Sequence, residues 1–493
     1  MAEKYMAENQ GIARAIVLSL LFSGLLGCAV GPDYRRAPVE TPAGWKEAPP
    51  SGWKQATPRD EVAKGNWWEL FGDPVLNDLE QKATAANQSL KAAVSRVVQA
   101  RALARIAKAD FFPSIVFSPS AIRSRESGNR SVQPGGIPAE PYISTTYALP
   151  LDMSYELDIW GKVRRNVEAA NADAQASVAA YETILLTLKS SVAQSYFNLR
   201  YLDANLVILK DSTEVLKKSL DLVLVRYRGG IANGLDVAQA ETLLDSVQAQ
   251  YIIAGQQRAE MEHALAVLIG KPAAEFSLAA NPLNLAPPAI PPGLPSDLLE
   301  RRPDIAQAER AMAASNARIG VSKSAFFPAI DLTGGVGQNS VFLGTLLAKD
   351  SLTWYFGPTI TQPIFEGGRL VADLKRARAA YDESVADYRQ QVLVAFQEVE
   401  DALSDLRILA DQSAAQAKAV QAARRARDIS TSRYKGGAAI YLEVLDAQRT
   451  VLQNEQLAAQ ILGTQMITSV QLIKALGGGW KDRISQPSDQ AFQ

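Results

Sequence analysis

The 493-residue chain has one cysteine, one histidine and six methionines. A single thiol excludes a disulfide within the chain, an iron–sulfur cluster and a Cys-based zinc site. A single imidazole, His263 in the helical stretch Met261-Glu262-His263, removes His-rich metal sites and most His-dependent catalysis. Six methionines leave no thioether path for soft metals. An excess of one charge is missing too: 51 Lys+Arg against 52 Asp+Glu gives −1, which argues against a nucleic-acid partner. No Gly-x-x-x-x-Gly-Lys-Ser/Thr phosphate loop, Gly-x-Ser-x-Gly elbow or His-Glu-x-x-His motif occurs. Catalysis, metals and cofactors are therefore not expected.

Long apolar runs are also absent, with one short exception. Residues 15–26 form an apolar stretch preceded by Lys4 and Arg14 and followed by Gly27-Cys28. It is too short to span a bilayer but suits a signal-peptide core. Leu25-Leu26-Gly27-Cys28 resembles a bacterial lipobox, in which the cysteine becomes the lipidated N-terminus. On that reading residues 1–27 are a signal peptide, and a covalent lipid on Cys28 is the one added group. Ala29, standing where an Asp would retain such a protein, fits sorting to the outer membrane. Glu3 and Glu8 are unusual in a leader and point to a later start, such as Met6. The other reading of Cys28 is an inert buried thiol. With no further stretch of 18 apolar residues, any membrane crossing must use strands in a closed barrel.

An internal repeat organises the rest. Arg226-Tyr227-Arg228-Gly229-Gly230 recurs as Arg433-Tyr434-Lys435-Gly436-Gly437, an offset of 207. The same offset carries Gly161 to Gly368, Leu199-Arg200 to Leu406-Arg407, Leu235-Asp236-Val237 to Leu442-Glu443-Val444, and Gly270 to Gly477. Upstream, Phe111-Phe112-Pro113 recurs as Phe326-Phe327-Pro328 at an offset of 215. The first copy spans 67–270: a helix over about 75–110, a β-hairpin 113–160, a long helix 162–228 and a helix 235–269. The second spans 301–477: a helix over about 304–326, a β-hairpin 328–367, a long helix 369–435 and a helix 438–476. The long stretches contain neither Gly nor Pro and are rich in strong helix formers. At 1.5 Å per residue each would reach roughly 100 Å, which implies a coiled coil or a tube of helices.

Between the helices the pattern changes period. Over 143–159 the odd positions, from Ile143 through Leu149, Leu151 and Met153 to Ile159, are mostly apolar; the even ones are mostly polar. In the second copy the apolar face falls on even positions, Leu352, Trp354, Phe356, Ile360 and Ile364, as an odd offset requires. A period of two indicates strands with one apolar face. A soluble β-sandwich would read similarly over one strand. The leader and the aromatics Phe111, Phe112, Trp160, Trp354, Tyr355 and Phe365 favour a lipid-facing strand with aromatic girdles. Four strands cannot close a barrel, so it must be shared between subunits. Residues 28–66 read as an extended N-terminal arm, 271–300 as a Pro-rich linker joining the copies, and 478–493 as a flexible tail.

Several segments together resemble a known family, the TolC-like outer-membrane factors. The match is to the lipoprotein (NodT-type) branch, which serves resistance–nodulation–division (RND) tripartite efflux pumps. They are Cys28-Ala29-Val30-Gly31-Pro32-Asp33-Tyr34, Trp67-Trp68-Glu69-Leu70-Phe71-Gly72-Asp73-Pro74, the two Phe-Phe-Pro turns, residues 293–305 (Gly-Leu-Pro-Ser-Asp-Leu-Leu-Glu-Arg-Arg-Pro-Asp-Ile) and residues 441–449 (Tyr-Leu-Glu-Val-Leu-Asp-Ala-Gln-Arg). The resemblance implies an α+β membrane protein: a homotrimer with a shared twelve-stranded transmembrane barrel, four strands per chain, continuous with a periplasmic helical barrel. It implies a passive exit duct in the outer membrane of a Gram-negative bacterium. An inner-membrane RND-type pump would supply it through a periplasmic adaptor.

The resemblance also places a gate. In the family the helix-hairpin tips close the tube at the end away from the membrane. Leu442, Glu443 and Asp446 match a hydrophobic constriction and acidic rings, and Arg449 matches a nearby basic residue. Tyr227 and Tyr434 match tyrosines that link neighbouring coils, with Asp236 an acidic partner. Ala439 stands where some relatives have a locking Arg, so that link is expected to be absent. The Gly229-Gly230 and Gly436-Gly437 turns would accept an adaptor's helical hairpin. Read without the family, Glu443, Asp446 and Arg449 are ordinary charges on a solvated helix. Two other functions share parts of the pattern: a duct for type I protein secretion, and a non-channel periplasmic coiled-coil scaffold.

Overall fold

The computed structural model describes residues 29–47, 65–128, 141–290, 295 and 298–478. The leader, Cys28, much of the arm and the tail lie outside the described residues. The helices are α1 Pro74–Ala86, α2 Gln88–Ala109, α3 Lys162–Arg228, α4 Gly234–Leu268, α5 Leu298–Arg301, α6 Pro303–Ser324, α7 Arg369–Lys435 and α8 Tyr441–Ala475. The strands are β1 Ser114–Phe117, β2 Ser120–Glu126, β3 Tyr142–Glu156, β4 Ala329–Ser340 and β5 Leu352–Thr361. The repeat shows in the lengths: α2 and α6 have 22 residues, α3 and α7 have 67, α4 and α8 have 35.

Two expectations need correction. A single helix over about 75–110 is in fact α1 and α2. Asn87 between them is extended; its side chain accepts from Leu90 N at 3.0 Å and donates to the Leu268 carbonyl at 2.9 Å. A side chain that caps the next helix cannot continue the previous one. The first hairpin, 113–160, likewise has three strands. β1 and β2 follow one another along the same edge of β3, against Leu151–Ser154 and Tyr142–Ala148 respectively. Pro119 breaks the line between them, as a residue without an N–H must in a ladder.

The chain divides into two compact units. The first holds residues 1–37, 99–175 and 309–386, and so the whole sheet. Its strands run antiparallel in the order β1/β2, β3, β4, β5, with β5 at one edge and β1 and β2 at the other. Small apolar clusters hold the helix ends: Ala107 with Val163 and Val167, and Ala172 with Ala313 and Ala314. The described start of the arm is sewn onto this unit. Val30 N donates to the Trp160 carbonyl at 2.9 Å, Asn316 donates to the Pro32 carbonyl at 3.0 Å, and buried Arg165 pairs with Asp33 at 2.8 Å. Tyr34 donates to Glu309, which also pairs with Arg310. Burial, then the Glu309 bond, push the Tyr34 phenol far above its ordinary range.

The second unit holds residues 38–98, 176–308 and 387–493. One part of its core is aromatic: Trp67, Trp68, Phe71, Tyr196 and Phe197 pack ring on ring, and Tyr196 donates to Asp73 at 2.5 Å. Three buried ionic clamps hold the linker and helix ends. Asp203, with no exposed side-chain surface, accepts from Arg200 (3.0 Å), Arg258 (2.6 Å) and Asn281 N (2.9 Å). Arg258 and Glu262 grip Leu278 through its carbonyl and its N–H, both within 2.6 Å. Arg302 forks onto Asp304 and reaches Glu398 at 2.6 Å and the Ala475 carbonyl at 3.1 Å, closing the second repeat. The arm joins in: Glu400 accepts from the N–H groups of Lys46 and Glu47, and Glu47 pairs with Arg407.

Candidate functional site: an apolar sheet face and two helix-hairpin tips

The register of the sheet sorts its side chains into two faces. Ile115 lies opposite Met153, Phe117 opposite Leu151, Leu151 opposite Val336, and Val336 opposite Trp354. Gly334 lies opposite Met153 and Phe356, and Ile330 opposite Ile360. The odd positions of β3 and the even positions of β5 thus meet on one face. Ile115, Phe117, Trp354, Phe356 and Ile360 are all more than half exposed, Trp354 at 75%. A soluble monomer rarely leaves so continuous an apolar surface uncovered.

The opposite face is polar and low. Asp152, Ser154, Thr333, Thr353 and Thr359 share it with Gly335 and Gly337. Tyr355 lies here too, not with the aromatics of the apolar face: its hydroxyl donates to Asp152 at 2.8 Å. That bond passes over Gly335, where a Cβ would lie 2.5 Å from the Tyr355 ring and 2.7 Å from the Asp152 carboxylate. Aromatics gather where strands meet helices. Trp160 stacks on Phe327 with centroids 4.8 Å apart and donates to the Pro328 carbonyl at 2.8 Å. Phe112 and Phe365 stand exposed at neighbouring junctions. Ala29 packs against Gly161 at this junction, so the residue after Cys28 is placed there.

In the second unit the repeated tips end α3 and α7. Gly230 and Gly437 adopt φ of +70° and +77°. Ile231 N donates to the Arg226 carbonyl and Ala438 N to that of Arg433, both at 2.8 Å. This is the Schellman arrangement, which needs a left-handed residue and so favours glycine. Nothing lies within 4 Å of a Cβ added at either position, and at Gly229 and Gly436 only the local turn comes near. The four glycines thus make compact, open turns.

Behind the turns lies a core of Leu216, Val223, Leu243, Tyr434, Tyr441, Val444 and Leu445. Tyr434 is 6% exposed, packs against Tyr441 with ring centroids 5.5 Å apart and the rings tilted, and carries Arg226 over its ring at 4.4 Å. Arg226 also donates to the Tyr434 carbonyl at 2.5 Å, while the Tyr434 hydroxyl is buried without a partner. Tyr227 is half-exposed, and Ala439 packs against the core. The sequence set Arg226 in the repeat and Tyr441 in the 441–449 segment but gave neither a place in the tip core, because nothing in a helix sequence shows which neighbour a side chain covers.

The candidate gate residues share one face of α8. Leu442, Glu443, Asp446 and Arg449 are exposed, whereas Tyr441, Val444, Leu445 and Gln448 are buried. The buried four are spaced i, i+3, i+4 and i+7, and the exposed four, at i, i+1, i+4 and i+7, lie on the side turned away from the chain's own core. The two tips differ at their caps. In the first, Asn233 and Asp236 form a reciprocal capping box, with bonds of 3.0 and 3.2 Å. At the equivalent N-cap, Ile440 has no side chain to offer, and Glu443 pairs instead with Arg433 at 3.5 Å. Asp236 is therefore engaged within its own turn, while its repeat partner Glu443 is released to the surface. Among the described residues no helix is long and apolar enough to cross a membrane, and no cluster of His, Cys, Asp or Glu could hold a metal ion.

Known proteins resemble this chain over nearly its full length. The family model for outer membrane efflux protein matches residues 79–271 and 294–478. The toluene efflux pump outer membrane protein TtgC of Pseudomonas putida is 34% identical over 487 residues, covering 96% of this chain and 98% of the relative. Among solved structures, the outer-membrane channel OprN superposes with a TM-score of 0.84 at 30% identity, covering 92% of this chain and all of that one. The open state of the Neisseria gonorrhoeae MtrE outer membrane channel gives 0.80 at 32% identity, covering 92% of this chain and 99% of that one.

Proposed function

Because the chain belongs to the outer membrane efflux protein family, we propose that it is the exit duct of a tripartite efflux pump, passing drugs or other small molecules delivered from the inner membrane. The observation that carries this reading is the sheet. Over β1, β3, β4 and β5 one face is apolar and exposed and the other is polar, and among the described residues the edges at β1/β2 and β5 have no partner strand. In water such a sheet is a liability; in a bilayer its apolar face meets lipid and its edges must pair. Three copies joined edge to edge would give a twelve-ladder barrel with the polar face inside. The duct is passive and not an enzyme, and it needs no cofactor beyond the lipid on Cys28. That lipid would enter the membrane beside the Trp160–Phe327 junction, where Ala29 is held.

The tips would form the closed end and meet the adaptor, which in turn would engage an RND-type pump. With threefold symmetry, three copies of Leu442, Glu443 and Asp446 converge, and carboxylates so placed bind cations and respond to salt. Tyr227, Tyr434 and Asp236 would link coils, and Gly229, Gly230, Gly436 and Gly437 would give close access for an adaptor hairpin. A non-channel scaffold would have no use for the apolar sheet face. A type I secretion duct remains distinguishable by its cargo. The test is deletion and complementation in the native host. The expected result is sensitivity to drugs, dyes or solvents, restored by the intact gene; unchanged sensitivity together with loss of a secreted protein would overturn the efflux reading.

A further inference from the structure

Within the second unit, α3, α4, α7 and α8 line an open-sided cavity of about 620 Å³, in the range that suits a small-molecule ligand. Its floor is apolar, including Val215, Leu216, Leu243 and Leu452, the last three continuous with the core behind the tips. Three arginines line it, against the carboxylates of Asp211 and Glu455. They are not equivalent. Arg424 is bound to Glu455 at 2.7 Å and Arg427 to Asp428 at 2.9 Å, whereas Arg449 makes no ion pair among the described residues. Beside it in sequence, Gln448 is 9% exposed and also lines the cavity; its Oε1 is buried and has no hydrogen-bond donor among the described residues. A buried acceptor left unpaired costs about 1–3 kcal/mol, so it marks a place where a donor belongs.

We propose that this cavity binds an amphipathic carboxylate whose head also carries an N–H or O–H donor. The apolar tail lies over Val215, Leu243 and Leu452, the carboxylate meets the free guanidinium of Arg449, and the donor satisfies Gln448 Oε1. An acyl chain joined through an amide to a carboxylate has this order of groups. The site goes beyond the duct reading, because it is a binding pocket in the wall of the protein and is assayed by binding alone.

The experiment uses the full-length protein assembled in lipid nanodiscs, with N-dodecanoylglycine as the probe in calorimetric titration. Dodecanoate lacks the amide donor, and dodecyltrimethylammonium carries the opposite charge. The expected result is saturable binding of one N-dodecanoylglycine per chain, stronger than dodecanoate, with no competition from the cation. Arg449→Gln should weaken it by about tenfold, the worth of one charge-assisted hydrogen bond, and Arg449→Lys should restore part of the loss. Gln448→Leu, which keeps the side-chain bulk, should abolish the preference over dodecanoate. Non-saturable uptake, equal binding by all variants, or equal binding of the cationic amphiphile would overturn the proposal. The readout is binding, measured without conductance or drug sensitivity, so failure here is distinct from failure of the duct.

Discussion

Glu80 occupies a position on α1 that its neighbours fill with apolar groups: Leu76, Leu79 and Ala83 line the same buried face. Its carboxyl is fully buried, neither oxygen has a hydrogen-bond partner, and burial pushes its pKa up to about 9, against some pull downward from Lys189. The acid is therefore neutral in the folded protein near pH 7 and ionised in the unfolded chain. With the folded value above the unfolded one, its contribution is fully present below about pH 4.5 and is lost as the pH rises towards 9. Melting temperature should fall over that interval, and Glu80→Gln should flatten the curve; parallel curves would contradict the assignment. At the tip, Glu443→Ala removes an exposed pair worth up to about 1 kcal/mol, enough to shift an open-to-closed ratio by about fivefold. Single-channel conductance should rise in Glu443→Ala, and Asp446→Ala should also lose block by multivalent cations. Glu443 and Asp446 stood out in the sequence through the family resemblance, since by themselves they read as ordinary charges on a solvated helix. Glu80 did not, because a lone charge in a helix reads as solvated until its neighbours are known.

Among the elements, the caps of α4 and α8 give two equivalent acidic residues different partners. Asn233 holds Asp236 in a capping box; Ile440 offers no cap, and Glu443 pairs at the surface with Arg433 instead. Ile440→Asn would supply the missing cap with Glu443 at the third helical position, stabilising the tip by about 1 kcal/mol. The same change should draw the carboxylate away from the stripe and reduce its response to cations, measurable by melting and by conductance in multivalent salt. The linker offers a second test. Asp203→Ala would leave Arg200 as a buried charge without its carboxylate, while Arg258 keeps Glu262 at 3.3 Å, at a cost of about 3–5 kcal/mol. Faster proteolysis within the linker and a lower denaturation midpoint are expected. The lengths of α3 and α7 could be read from the sequence because glycines bound them and neither Gly nor Pro falls inside. The break at Asn87 and the divided edge strand could not, since a polar residue can sit in a helix or cap one, and Leu268 is 181 residues away.

At the scale of the whole molecule, the sheet decides the account. Its period-two pattern and the opposite parity of the two copies were visible in the sequence, and the register brings the two apolar sets onto one face. What no single chain could show is the partner of each edge. A β1/β2 edge meeting a β5 edge is a head-to-tail contact, which closes into a ring at the right rotation and otherwise extends without limit. The polar face supplies water-accessible positions for testing which occurs: Ser120 on β2, and Thr353 and Thr359 on β5. Cys28 is the chain's only cysteine, and its lipidation would leave no competing thiol. The most direct measurement is oxidative cross-linking, in membranes, of Ser120→Cys paired with Thr353→Cys or Thr359→Cys. A shared barrel predicts covalent dimers and trimers and nothing larger, with each single-cysteine variant uncross-linked; monomers alone in every pairing, or a ladder that continues beyond trimers, would contradict it.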